Sequence, residues 1–152
     1  MTSISANGAT QAIYLRMNGT AIERSIGTLT TPSTWVTISS WPATITNTNT
    51  GPSTILNVVV TQNLTISSST GGTSGYFIAG SQYVTFDGSG NSININGVTN
   101  YLGFIRNGTY SVSGFANMIV KNFITNATSS TLASTAGWLC QQYFGRGSLG
   151  NS

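Results

Sequence analysis

The sequence predicts an all-β fold, a right-handed parallel β-helix, built as a short solenoid of about four to five coils with an N-terminal capping segment. β-Branched residues dominate, and long Ala/Leu/Glu/Lys stretches with 3.6-residue periodicity are missing. Short apolar runs alternate with Gly- and Asn-rich turn clusters such as Gly71–Gly75 and Asp87–Asn91. The run Tyr76–Gly80 is echoed at Tyr101–Ile105, a spacing that suits one coil. Because the echo is degenerate, a β-sandwich stays the alternative.

The predicted strands are short segments rich in β-branched and aromatic residues, each bounded by turn residues. Inward-pointing Val, Ile and Phe would stack from coil to coil, with Asn at the corners, where tight turns need a left-handed backbone. In chain order the predicted strands are Ala12–Leu15, Trp35–Ile38, Ala43–Thr46, Ile55–Val60, Leu64–Ser67, Tyr76–Ile78, Tyr83–Phe86, Ser92–Ile95, Gly103–Ile105, Met118–Val120 and Trp138–Cys140.

Two regions are predicted along the chain. Residues 1–41 read as an N-terminal cap or extension, and residues 42–152 read as the coils, with the last coil incomplete. An open coil exposes unpaired backbone groups and an apolar cross-section. We therefore expect another copy, a partner or further sequence to cover it, by end-to-end contacts or by a donated strand.

Charge is unusually scarce. Only 5% of residues are charged, against about 25% in ordinary soluble domains. The net charge of +3 comes from five scattered cations facing two acids, which is not the clustered basic surface that nucleic acid binding needs. So little charge gives weak repulsion between copies and favours self-association.

Catalytic chemistry lacks its usual groups. The chain has no histidine, and its only carboxylate side chains are Glu23 and Asp87, too few for acid–base or glycosidase chemistry. Cys140 is the single cysteine and reads as a small buried apolar residue. Asp87 lies in a Gly- and Asn-rich turn, where an Asx turn is favoured over a calcium site. The sequence predicts no enzyme, no cofactor, no metal site and no membrane span.

Aromatic residues are the remaining candidates for recognition. Exposed rings can stack on sugars, although most rings at strand spacing should lie in the core. The candidate glycan or subunit contacts are Trp35, Trp41, Tyr110 and Tyr143.

An ordered set of landmarks runs from Trp41 to Asn151, over about two-thirds of the chain. This stretch resembles Ser/Thr/Asn-rich β-helix-like repeat proteins of giant viruses, the large nucleocytoplasmic DNA viruses. The landmarks are Trp41–Ile45, Tyr76–Ser81, Val98–Tyr101, Arg106–Thr109, Ser130–Ala133, Gly137–Trp138 and Gln142–Gly145.

The resemblance implies a structural role on a virion or extracellular surface, and it carries no catalytic residues over. The relatives that it suggests continue past the Tyr-Phe-Gly region, where this chain stops. The resulting expectation is a self-associating subunit of a virion-surface fibre, filament or capsid-associated assembly. The alternative is a glycan-binding adhesin module that uses exposed aromatics.

Overall fold

The computed structural model describes residues 1–49, 51–70, 75–108 and 114–141, together with the backbone of 148–149. These residues form an all-β protein in which no helix occurs within the described ranges. The strands are β1 (Thr2–Ala6), β2 (Gln11–Asn18), β3 (Ala21–Thr28), β4 (Trp35–Thr37), β5 (Ala43–Asn47), β6 (Leu56–Val60), β7 (Leu64–Ile66), β8 (Phe77–Ala79), β9 (Val84–Asp87), β10 (Ser92–Asn96), β11 (Ile105–Asn107), β12 (Ile119–Lys121), β13 (Ile124–Thr128) and β14 (Ser148–Leu149).

The strands lie in three sheets. Sheet A has the order β1-β5-β8-β11, sheet B has the order β14-β12-β9-β6-β2-β3-β4, and sheet C has the order β13-β10-β7. From β5 to β13 the chain enters sheets A, B and C in turn, and each strand pairs in parallel with the strand of the next pass.

One apolar core lies between the sheets. Period-two alternation points one set of side chains inward, such as Ile45 on β5, Val58 on β6 and Ile66 on β7, each with 0% exposure. Phe77 and Phe86 continue the same inward rows on the next strands of sheets A and B, and their ring centroids are 6.2 Å apart. Burying each such side chain stabilises the fold by about 1.5–3 kcal/mol.

Sheet B is mixed because a hairpin extends it. β2 and β3 pair antiparallel over their whole length, and β4 adds antiparallel to β3. Gly19 occupies the first turn position at φ 62°, the conformation that a two-residue type II′ turn requires and that glycine adopts without strain. The hairpin places Ile22, which is 1% exposed, in the common core.

The predicted fold class is therefore wrong in its finer part. The chain is all-β, but instead of a right-handed parallel β-helix with a separate N-terminal cap it forms three sheets, one of them mixed. β1 and β2 lie within sheets A and B beside β5 and β6, because their apolar residues enter the same core. The boundary predicted at residue 41 stays a prediction.

The predicted repeat also differs from the observed register. The echo would pair Tyr76 with Tyr101, whereas Phe77 pairs with Ile105. The separation between paired residues changes from one pair of strands to the next, since the connecting turns differ in length. Asparagines at turns do adopt the left-handed backbone, as at Asn100 (φ 54°) and Asn122 (φ 59°).

Candidate functional site

A groove runs along the outer face of sheet A. It consists of two neighbouring cavities of about 240 and 360 Å³ that share Gly80 and Phe115 in their linings. Thr44 on β5, Ile78 on β8 and Arg106 on β11 are register partners and line the smaller cavity. The outward-facing Ile78 is only 5% exposed, so this end of the groove has an apolar floor.

Arg106 is the charged side chain of the groove. β11 points Ile105 and Asn107 into the core, both with 0% exposure, and thereby directs Arg106 outward. The Arg106 Nε atom is buried and has no hydrogen-bond partner among the described residues. A buried donor of a cationic group without an acceptor is costly. The part of Arg106 that lines the smaller cavity is open to an acceptor from outside the chain.

The two carboxylates of the chain are occupied elsewhere. Glu23 Oε1 accepts a hydrogen bond from Arg16 Nε at 2.9 Å. Asp87 Oδ1 accepts from the Ser89 backbone N–H at 2.8 Å, which is the predicted Asx turn, and from Asn122 Nδ2 at 3.0 Å. Since the sequence contains no third acid, Arg106 has no side-chain carboxylate left to pair with.

Asn107 fixes one wall of the groove. Its Oδ1 accepts a hydrogen bond from the Phe115 backbone N–H at 2.8 Å, and its Nδ2 donates to the Phe115 carbonyl at 3.0 Å. Asn107 is fully buried, while the Phe115 side chain is half-exposed. An aromatic ring is therefore held at the groove by a rigid, buried amide.

The larger cavity is lined by uncharged polar residues at the corner between sheets A and B, including Asn49, Ser81, Gln82 and Tyr83. Asn47 organises this corner. Its Nδ2 donates to the Thr54 carbonyl at 2.9 Å and to the Tyr83 carbonyl at 3.1 Å, and its Oδ1 accepts from the Gly8 and Asn49 backbone N–H groups. The polar end of the groove is thus built on a satisfied network.

Trp35, one of the predicted contact residues, lies on β4 and is half-exposed. The Arg16 guanidinium carbon is 4.2 Å from the centroid of the Trp35 ring, within cation–π range. Arg16 also bonds Glu23, so it covers one face of the ring in a local cluster. The arginine therefore occupies a surface that a sugar would need for stacking.

Trp41 is partly buried. Its ring lies edge-on to Tyr76 at 5.2 Å and to Phe77 at 5.1 Å, and it packs against the core cluster. No ring contact joins Trp41 to Trp35 among the described residues, so the structure does not bring these two candidates together. Tyr110 and Tyr143 lie outside the described residues.

A further candidate surface is the edge of sheet C. β13 is the outermost strand of that sheet within the described ranges, and four of its five residues are exposed. Ile124, the large apolar residue of this strand, is 52% exposed. The sequence reading assigned no strand here, because the segment Ile124–Thr128 is mostly polar and small.

Metal and thiol chemistry have little support in the part of the chain that is described. No group of three or more His, Cys, Asp or Glu side chains converges there. Cys140 is half-buried, and burial raises the pKa of its thiol to about 11. Across the same residues, no helix has the length and hydropathy of a membrane span.

Comparisons with known proteins give no further assignment. No family profile, curated protein or solved structure matches this chain.

Proposed function

We propose that this chain is a non-enzymatic structural protein whose copies associate through the edge of β13, the outermost strand of sheet C among the described residues. The supporting observation is an exposed, uncharged edge strand of five residues on a protein that carries almost no charge. Unpaired backbone groups on such an edge are a template for a strand of another chain.

The hydrogen bonds of sheet C identify which groups are free. The Ile124 N–H donates to the Asn91 carbonyl at 3.3 Å, and the Gly97 N–H donates to the Thr128 carbonyl at 2.9 Å. In a parallel ladder, alternate residues bond to the same neighbour. Thr125 and Ala127 therefore direct their N–H and C=O groups away from β10.

Side chains on this edge do little to block pairing. Protected edges usually carry Lys, Pro, a bulge or an inward-pointing charge, and β13 contains no charged residue and no proline. Thr125 and Ala127 occupy the inward row that holds Ile93 and Ile95 on β10. Thr125 and Ala127 are smaller than the isoleucines with which they pair on β10, so less apolar surface is exposed on this strand. Their backbone N–H and C=O groups still face away from β10.

The scarcity of charged residues favours a second copy of the same chain as the partner that pairs with the β13 edge. With seven charged residues in 152, repulsion between copies is weak. The opposite end of the strand stack offers a second edge, because β1 is the outermost strand of sheet A and its Ser3 and Ser5 are exposed. Contact between two different edges is heterologous and builds open fibres. We propose such an assembly on a virion or extracellular surface.

Sedimentation of Ala127→Pro tests the proposal. Proline removes an N–H that points away from β10, so the fold of the monomer is retained while the edge is blocked. The matched control is Ala127→Ser, which keeps the N–H. We expect the parent chain and the serine variant to sediment as concentration-dependent oligomers and to give filaments in negative stain, and the proline variant to sediment as a monomer.

A second variant separates fibres from closed dimers. Ser5→Pro blocks the β1 edge, since the Thr2 N–H bonds to Pro42 and alternation leaves the Ser5 N–H free. Heterologous assembly requires both edges, so Ser5→Pro should also shorten the assemblies. A parent chain that is monomeric at high concentration would refute the function, and one that forms only dimers insensitive to Ser5→Pro would refute the fibre.

Glycan binding is the second candidate. Trp35 gives it little support, because Arg16 covers a ring face. The observation that favours it is the groove beside Arg106.

A further inference from the structure

We propose that the groove on sheet A binds a sugar acid, with its carboxylate on the Arg106 guanidinium and its hydroxyls at the Asn49, Ser81 and Gln82 end. This site deepens the glycan-binding candidate and is independent of self-association through β13. Its residues were not among the contact candidates predicted from the sequence, which were Trp35, Trp41, Tyr110 and Tyr143.

The charge of the ligand follows from Arg106. Arg106 lines the smaller cavity and forms no ion pair among the described residues, and both side-chain carboxylates of the protein are engaged by other groups. A carboxylate accepts two parallel hydrogen bonds from a guanidinium, which makes this pair short, strong and oriented. An external carboxylate in the smaller cavity would therefore supply the counter-charge that Arg106 lacks among the described residues.

A carboxylate fits better than a phosphate. Arg106 is the one charged side chain among the described residues that line the two cavities, and the α-ammonium of Met1, which also lines the smaller cavity, donates to Ser40 Oγ. A phosphate group carries close to two negative charges at neutral pH and commonly gathers several cationic or backbone donors. A single arginine is matched to a monoanion.

The rest of the ligand follows from the uncharged part of the groove. Asn49, Ser81 and Gln82 offer amide and hydroxyl groups that both donate and accept hydrogen bonds, the complement of sugar hydroxyls. Phe115 presents a half-exposed ring between the charged and polar ends, where the apolar face of a sugar ring can rest. The two cavity volumes, about 240 and 360 Å³, together fall within the usual range for small ligands.

The site is also organised before any ligand arrives. Asn107 holds Phe115 by two hydrogen bonds, and Asn47 fixes the Asn49 and Tyr83 backbones. Groups that are already fixed lose little conformational freedom on binding, which favours affinity.

Calorimetric titration of the full chain tests the proposal with glucuronic acid and N-acetylneuraminic acid as probes. Glucose and acetate are the comparison probes, because glucose lacks the carboxylate and acetate lacks the hydroxyls. We expect at least one sugar acid to bind about tenfold more tightly than glucose or acetate, since a charge-assisted pair and the sugar contacts then act together. Amide shifts in NMR should change at Gly80, Ser81 and Phe115.

Variants locate the site. Arg106→Gln should weaken sugar-acid binding about tenfold, and Arg106→Lys should weaken it less because charge is kept without the bidentate geometry. Arg24→Gln is the matched control, since Arg24 forms no ion pair in the described part of the chain and does not line the groove. Melting temperatures of all three variants report whether the fold is intact.

Several outcomes would overturn the site. They are equal binding of glucose, tighter binding of inorganic phosphate than of the sugar acids, equal losses in Arg106→Gln and Arg24→Gln, and no binding by any probe. Because sedimentation of the ligand-free chain is measured separately, failure of this site leaves the β13 proposal standing, and the reverse also holds.

Discussion

Asn107 and Phe115 are joined by a two-point amide bridge in which the buried side chain of one satisfies both backbone polar groups of the other. The bridge joins β11 to Phe115, which lines both cavities of the groove. It couples the stability of the fold to the shape of the groove.

Asn107→Ala should lower the free energy of unfolding by about 1–3 kcal/mol, because the partly buried Phe115 N–H and C=O lose their fully buried partner. Urea unfolding measures the change. Asn126→Ala is the control, since its bond to Asn94 is exposed at 3.1 Å and its loss should cost under about 1 kcal/mol. Equal losses in the two variants would contradict the role assigned to the buried bridge.

Tyr101 carries a buried hydroxyl that finds no hydrogen-bond partner in the described part of the chain. Desolvation by burial raises the pKa of Tyr101 well above 10. Removing an unsatisfied buried hydroxyl relieves its desolvation cost. Tyr101→Phe should therefore leave the unfolding free energy unchanged or raise it by up to about 1–2 kcal/mol, as read from thermal and urea unfolding. A loss above about 1 kcal/mol would show that the hydroxyl makes a stabilising bond.

Glu23 should make stability depend on acidic pH. The hydrogen bond from Arg16 lowers the pKa of Glu23 below its ordinary value of 4.5, against the opposing effect of burial. A lowered pKa in the folded state means that the contribution is complete above 4.5 and is lost as pH falls through the folded-state value. Melting temperature should therefore fall in this acidic window. Glu23→Gln should flatten the dependence of melting temperature on pH. If the variant keeps the pH profile of the parent chain, the contribution assigned to Glu23 is contradicted.

Cys140 should react slowly with thiol reagents. Its pKa is raised to about 11 by burial, so very little thiolate is present near pH 8, and only the thiolate is a good nucleophile. Iodoacetamide labelling followed by mass spectrometry should be much slower for the folded chain than for the chain in urea. Equal rates would place the sulfur in a more exposed setting than the structure shows.

Some strands could be predicted closely because their own residues carry the signal. Ala43–Thr46 and Ser92–Ile95 were predicted, and the strands are Ala43–Asn47 and Ser92–Asn96. β3 was not predicted, because Glu23, Arg24 and Gly27 interrupt its apolar pattern. It forms because β2 pairs with it along its full length, which is a tertiary contribution.

The candidate site was less accessible to sequence reasoning. Trp41 was expected as a contact residue, which stays a prediction; its edge-on contacts with Tyr76 and Phe77 come from another pass of the chain. Arg106 could have been noticed from the imbalance of five cations and two acids. That neither acid pairs with Arg106 depends on the tertiary structure, in which Glu23 and Asp87 bond to other side chains.

By itself, the sequence determined the strand-rich character of the chain, its turn chemistry and its near absence of charge, because these depend on local propensity and composition. The tertiary structure decided the three-sheet arrangement and the mixed hairpin extension. Among the described residues it also decided that β13 is an outermost strand and that Arg106 has no ion-pair partner. Each of these depends on which distant strands become neighbours, and that is set by competition among alternative pairings that share the same local pattern.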